Sequence, residues 1–168
     1  MKLKFIVAGL MLAASFGASA TSYSFGTLDP TGPDGGTITT GKFGAGAIIN
    51  DTWSFTLDTT SATSLGAQQN FVSNGAFKNF AGELFEGSTD LGALTLSTAG
   101  TGQQDLSWSG QLGSGDYSVH ITGLTTLKNG YYTASISALP VPEPETYGML
   151  LGGLALLGVV ARRKGNKA

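Results

Sequence analysis

The chain has no cysteine and a single histidine, His120. Disulfide stapling, thiolate zinc sites and a cysteine nucleophile are therefore excluded. A histidine-based triad needs a placed nucleophile and an orienting acid. No Gly-x-Ser-x-Gly elbow is present to present a serine. Basic residues are scarce in the middle of the chain. Between Thr21 and Leu139 stand three lysines (Lys42, Lys78, Lys128), no arginine and nine carboxylates, a net charge of −6. The whole-chain value of −2 hides this, because the other basic residues lie at the two ends. An acidic domain without a basic patch argues against nucleic acid as a partner. The middle region also lacks any sustained apolar period of 3.6 residues. What it has in quantity is glycine (26 in the whole chain), serine and threonine.

The ends carry address-like patterns. Met1-Lys2-Leu3-Lys4 brings two positive charges, Phe5 to Phe16 is apolar, and Ala18-Ser19-Ala20 is a small-x-small exit. That order is the order of a secretory signal peptide. Cleavage is expected after Ala20, read at Ala18 and Ala20 by a signal peptidase after passage through the export machinery. The last 28 residues have three parts: Val141-Pro142-Glu143-Pro144, an apolar run from Tyr147 to Ala161, and Arg162-Arg163-Lys164. The prolines fix their own φ and push Val141 and Glu143 towards extended backbone, a form that a processing enzyme can grip. The 15-residue run spans about 22 Å as a helix, short of a hydrocarbon core of about 30 Å, so tilt, flanks or local thinning must make up the rest. The basic cluster acts as a cytoplasmic stop under the positive-inside rule. This is a short C-terminal transmembrane helix in expectation.

From Val141 to Lys164 the tail resembles the PEP-CTERM sorting signal of Gram-negative bacteria. The resemblance rests on the Pro-Glu-Pro triplet, the Tyr147-Gly148-Met149-Leu150-Leu151 entry, the Gly/Leu helix and the Arg-Arg-Lys end. It implies processing by a membrane-embedded exosortase that supplies its own cysteine nucleophile, this chain being the substrate. It also implies a transient stay in the membrane and then the cell surface or extracellular matrix. The alternative is a plain membrane anchor on a periplasmic protein. A second resemblance falls on Ile49-Asn50-Asp51-Thr52-Trp53, which is similar to the signature of the FxDxF family of PEP-CTERM proteins. The central Asp51 and the following Phe55-Thr56-Leu57 fit, while Ile49 and Trp53 replace the two signature aromatics.

Residues 21–139 form one domain of ordinary size, flanked by the signal peptide at 1–20 and the sorting signal at 140–168. It reads as all-β, a β-sandwich or jelly-roll-like fold, from short alternating segments punctuated by Gly, Asn and Asp. The expected strands are Tyr23–Leu28, Gly36–Phe43, Ile48–Thr59, Phe71–Ser73, Ala76–Phe85, Leu91–Ser97, Asp105–Gln111, Gly115–Ile121 and Tyr131–Leu139. Turns are expected at Asp34-Gly35-Gly36, Asn74-Gly75, Gly113-Ser114-Gly115 and Asn129-Gly130, the last as a hairpin. In Ile48–Thr59 one face carries Ile49, Asp51, Trp53, Phe55 and Leu57. A carboxylate on that apolar face needs hydrogen bonds or a cation. Internal hydrogen bonds are the better reading, because no calcium-loop spacing surrounds Asp51. Trp108 shares a face with Leu106 and Leu112 and is expected in the core. Tyr131 is expected outside, opposite Tyr132, and His120 in solvent.

No catalytic residue, metal site or cofactor emerges. Glu83 and Glu86 read as solvated acids rather than as a glycosidase pair. The function expected is that of a non-enzymatic exported protein, sorted by exosortase and associated with cell surface, exopolysaccharide or biofilm matrix. The alternative from another class is a carbohydrate-binding module using Tyr131 as a stacking surface.

Overall fold

The structure is a computed structural model and describes residues 18–29, 31–71, 75–99, 102–141 and 144–165. Among the described residues, eleven strands precede one helix: β1 (Ala18–Ser19), β2 (Ser22–Leu28), β3 (Asp34–Thr39), β4 (Ile48–Leu57), β5 (Ser61–Asn70), β6 (Lys78–Glu86), β7 (Thr89–Ala93), β8 (Thr95–Ala99), β9 (Gln103–Leu112), β10 (Gly115–Leu124), β11 (Thr133–Pro140) and α1 (Pro144–Gly165). One sheet runs β1-β4-β10-β6-β7, with β2 also paired to β4. The other runs β3-β11-β5-β9-β8. The antiparallel pairs are nested along the chain: β6 with β7, β5 with β9, β4 with β10, and β3 with β11. Nested pairs shared between two sheets are the pairing of a jelly roll. The expected sandwich is therefore present.

Alternation makes the core. In β4, Ile49, Asp51, Trp53, Phe55 and Leu57 are buried, and the residues between them are exposed or half-buried. Tyr117, Val119 and Ile121 of β10, Leu84 of β6, Leu106 of β9, and Ala134 and Ile136 of β11 join the same cluster. Its centre is aromatic. Trp53 stacks on Tyr23 with ring centroids 4.1 Å apart and meets Tyr132 edge-on at 5.9 Å. Phe43 and Phe80 flank Tyr132 at 6.3 and 5.8 Å. Offset and edge-on pairs of this kind stabilise by about 0.5–1.5 kcal/mol each beyond their area burial.

Six expectations need correction. β5 is absent from the strands the sequence pattern predicts. Its inward positions are Ser61, Thr63, Leu65, Ala67 and Gln69, too polar to show an apolar alternation. The Leu91–Ser97 strand is two strands, β7 and β8, in different sheets. Asp34-Gly35-Gly36 is not a turn but the start of β3. Glycine is needed there because a Cβ on Gly35 would lie 2.3 Å from the Ile136 carbonyl oxygen. Asn129-Gly130 does turn the chain, with Asn129 at φ 64°. It makes no hairpin, since it joins β10 in one sheet to β11 in the other. Gly130 instead bridges to Phe43. Phe71 lies outside any strand. The remainder of Phe71–Ser73, and Asn74 of the Asn74-Gly75 turn, fall outside the described residues. Trp108 is half-buried against the core rather than within it, one strand in from the β8 edge.

Candidate functional site

Two places in the molecule go beyond packing. The first is the surroundings of Asp51. Its side chain is 0% exposed, and β4 aims it inward with Trp53. A buried carboxylate is costly unless hydrogen-bonded, and two donors meet it. The Tyr132 hydroxyl donates to Oδ2 at 2.8 Å. The Thr21 backbone N–H donates to Oδ1 at 3.0 Å. Tyr132 in turn accepts from Trp53 Nε1 at 2.8 Å. Trp53, Tyr132 and Asp51 thus form a relay of N–H to hydroxyl to carboxylate, closed by the chain at Thr21. Burial holds the Asp51 carboxyl above the usual carboxylate range, and the two hydrogen bonds oppose that rise. Burial also pushes the Tyr132 hydroxyl far up, so it remains a donor. The backbone of Tyr132 is fixed by Thr40: its carbonyl accepts from the Thr40 N–H at 3.0 Å and its N–H donates to Thr40 Oγ1 at 3.1 Å. Each group has a partner, and the arrangement holds parts together rather than offering an open reacting atom.

A second buried polar clamp lies in the other sheet. Gln69 and Gln104 face each other across β5 and β9. Both side-chain carbonyls accept from the Phe77 N–H, at 3.1 and 2.9 Å. Gln69 also donates to the Gly75 carbonyl at 2.9 Å, and Gln104 to the Phe77 carbonyl at 3.2 Å. These amides satisfy a stretch of chain that belongs to no strand. Nearby, Gln69, Phe71, Leu127, Lys128 and Asn129 line an open cleft of about 280 Å³. Tyr131, 40% exposed as expected of an outward residue, does not line it. His120 is exposed with its ring 4.7 Å from that of Phe85, and Glu83 and Glu86 are exposed. Among the described residues no group of three or more His, Asp or Glu is placed to hold a metal ion.

The other place is the tail. Val141 is half-buried; Pro142 and Glu143 lie outside the described residues. Pro144 opens α1, where its missing N–H costs nothing and its fixed φ suits the first turn. The helix runs 22 residues, through Arg162, Arg163 and Lys164. Cationic residues in a last turn oppose the negative end of the helix dipole. The helix exposes Tyr147, Met149, Leu150, Leu151, Leu154, Leu156 and Leu157, from 56% for Leu154 to 81% for Met149. A helix apolar all round has no face suited to water. Among the described residues, no helix is long and apolar enough to cross a membrane, so the expected C-terminal transmembrane helix is not found there.

Residues 140–164 match the PEP-CTERM protein-sorting motif. That motif implies exosortase processing, with export and membrane anchoring before it. The match begins at residue 140, far beyond Ile49, Asp51 and Trp53, so it does not bear on the FxDxF resemblance. A comparison with curated proteins finds no match. Among solved structures, the chain is similar to the pre-peptidase C-terminal domain of a collagenase from Bacillus anthracis, at 12% identity and a TM-score of 0.47, covering 71% of this chain and 96% of that one. It is also similar to a CBM35 from Cellvibrio japonicus Abf62, at 20% identity and a TM-score of 0.34, covering 59% of this chain and 70% of that one. Rabbit GITRL is similar at 15% identity and a TM-score of 0.32, covering 56% and 76%. None of these likenesses is close enough to assign a ligand or an activity.

Proposed function

We propose that this chain is non-enzymatic cargo: a signal peptide exports it, an exosortase sorts it, and the sandwich is delivered to the surface or extracellular matrix of a Gram-negative cell. The matched tail, borne on a helix that exposes apolar side chains all round, carries this reading. In it α1 inserts into the bilayer, with tilt or thinning covering its shortfall in length. Gly148 and Gly152 stand four residues apart, and a Cβ at either would meet nothing within 4 Å. Small residues at that spacing let another helix approach closely, which suits docking into a membrane enzyme. Pro142-Glu143-Pro144 is then presented at the outer face for cleavage, and Arg162, Arg163 and Lys164 set its depth. Association with exopolysaccharide or biofilm matrix, and membership of the FxDxF group through Ile49, Asp51 and Trp53, belong to this reading. The test is Glu143→Ala in a host that carries an exosortase. The expected result is an unprocessed, larger form retained in the membrane fraction. Processing at the wild-type rate contradicts the proposal.

Carbohydrate binding is the second reading, and the exposed ring of Tyr131 is the observation that favours it. Aromatic faces of this kind stack on sugars. Saturable glycan binding that is lost in Tyr131→Ala supports it.

A further inference from the structure

The amide that closes the Asp51 network belongs to the first residue after the expected signal-peptide cut. We propose that cleavage between Ala20 and Thr21 converts this amide into an α-ammonium group that forms a buried-edge ion pair with Asp51, so that export processing itself locks the N-terminal strand onto the sandwich. The proposal rests on the signal-peptide reading. In the hydrolysis, water adds across the Ala20–Thr21 bond: its oxygen goes to the Ala20 carbonyl carbon and the scissile nitrogen stays with Thr21. The released carboxylic acid gives up a proton and the new amine takes one. A carboxylate leaves with the signal peptide, and an ammonium stays on the domain.

The geometry is already in place. Thr21 N lies 3.0 Å from Asp51 Oδ1. Thr21 is held there independently, because its own carbonyl accepts from the Thr52 N–H at 2.9 Å. From Ser22 the chain continues as β2 along β4, Ser22 opposite Thr52 and Tyr23 opposite Trp53. Of the described strands, only β1, paired with Ile48 and Ile49, departs with the signal peptide. Asp51 is fully buried, whereas Thr21 is exposed. The ammonium therefore keeps part of its water while reaching a desolvated anion, which limits the penalty that usually weakens buried pairs.

No cation acts on Asp51 among the described residues before cleavage. Its neighbours are the hydroxyl of Tyr132, which lies just before β11, and the Thr21 amide; Trp53 of β4 meets Tyr132 edge-on, and Tyr23 of β2 stacks on Trp53. From β10, His120 lies opposite Thr52 but is exposed. With only an amide present, burial holds the Asp51 carboxyl above its ordinary range. An ammonium reverses that balance, since each charge favours the ionised form of the other. The pair acts on stability with a definite sign. An α-amino group raised above its unfolded value stabilises the fold fully below that value, and the stabilisation fades as pH rises through the folded one.

The test uses the chain purified after export. Its intact mass and N-terminal sequence show whether it begins at Thr21. The α-amino group is then titrated by NMR in the wild type and in Asp51→Asn, and folding equilibria are compared before and after N-terminal acetylation. Acetylation restores the N–H of the precursor and removes the charge. The expected α-amino pKa lies at least one pH unit above the ordinary range of about 7.7–8.0 and returns to it in Asp51→Asn. Acetylation should lower the folding equilibrium constant at pH 7 by about tenfold or more, because a pKa raised by one corresponds to a tenfold change in that constant. Its effect should fade as pH rises through the folded α-amino pKa, where the free amine becomes neutral. Should Asp51→Asn fail to fold, the wild-type titration and the acetylated chain decide alone. A chain that begins elsewhere overturns the cleavage reading and the proposal with it. A chain that begins at Thr21 with an ordinary α-amino pKa, or with stability indifferent to acetylation, overturns the proposal and leaves the cleavage reading standing.

Discussion

The sandwich and the helix α1 invert each other's burial. Inside the sandwich Asp51, Ser61, Thr63, Gln69, Gln104 and Thr125 are buried. On the helix Met149, Leu150, Leu151 and four other large apolar side chains are exposed. The sandwich tolerates its polar interior because every such group has a partner: Ser61 bonds Thr63 at 2.6 Å, and Thr125 accepts from the Ala47 N–H at 2.8 Å. Among the described residues no buried side-chain nitrogen or oxygen lacks one. The helix has nothing comparable to hide its leucines. One region buries polar groups and the other exposes apolar ones.

Substitutions should separate the two regions, and the largest effect is expected at the aromatic centre. Trp53→Ala removes the ring that stacks on Tyr23 and donates to Tyr132, and should destabilise the sandwich by about 3–5 kcal/mol in urea unfolding followed by circular dichroism. A loss below about 1 kcal/mol would place the ring outside the core. Leu154→Arg should act the other way round. Membrane insertion of the tail should weaken by about 2.5–3.5 kcal/mol, read as release of unprocessed chain from the membrane fraction. Sandwich stability should stay within about 0.5 kcal/mol of wild type. Tyr132→Phe keeps the ring but leaves Trp53 Nε1 and Asp51 Oδ2 without their shared partner, at an expected cost of about 1–3 kcal/mol. The smallest effect on folding is expected at Tyr131→Ala, within about 0.5 kcal/mol. A glycan array run on the same variant tests whether that ring serves binding instead.

The two regions also differed in how far they could be read from the residues. The tail is a linear code: prolines, then apolar residues, then cations, with no distant partner needed to interpret it. The sandwich is not linear. β4 was legible because large apolar residues alternate without a break except at Asp51, and that exception marked a site. Its partners were not legible. Thr21 and Tyr132 lie 30 and 81 residues away, and only the pairing of β2 with β4 and the chain's return near β11 bring them together. β5 was invisible for a related reason. Ser61, Thr63 and Gln69 look like loop residues until their cross-strand and clamped partners are known. Asn129-Gly130 showed that the chain turns there; whether the turn joins neighbours in one sheet or crosses between sheets depends on the whole topology.

The fate of the tail is read most directly in the intact mass of the mature protein. The comparison is between otherwise identical cells with and without an exosortase. The predicted result is a chain lacking the apolar helix and basic cluster when the enzyme is present, and retaining residues 147–168 in the membrane when it is absent. If the tail remains attached in both, it is an anchor and nothing more, and the sorting account is contradicted.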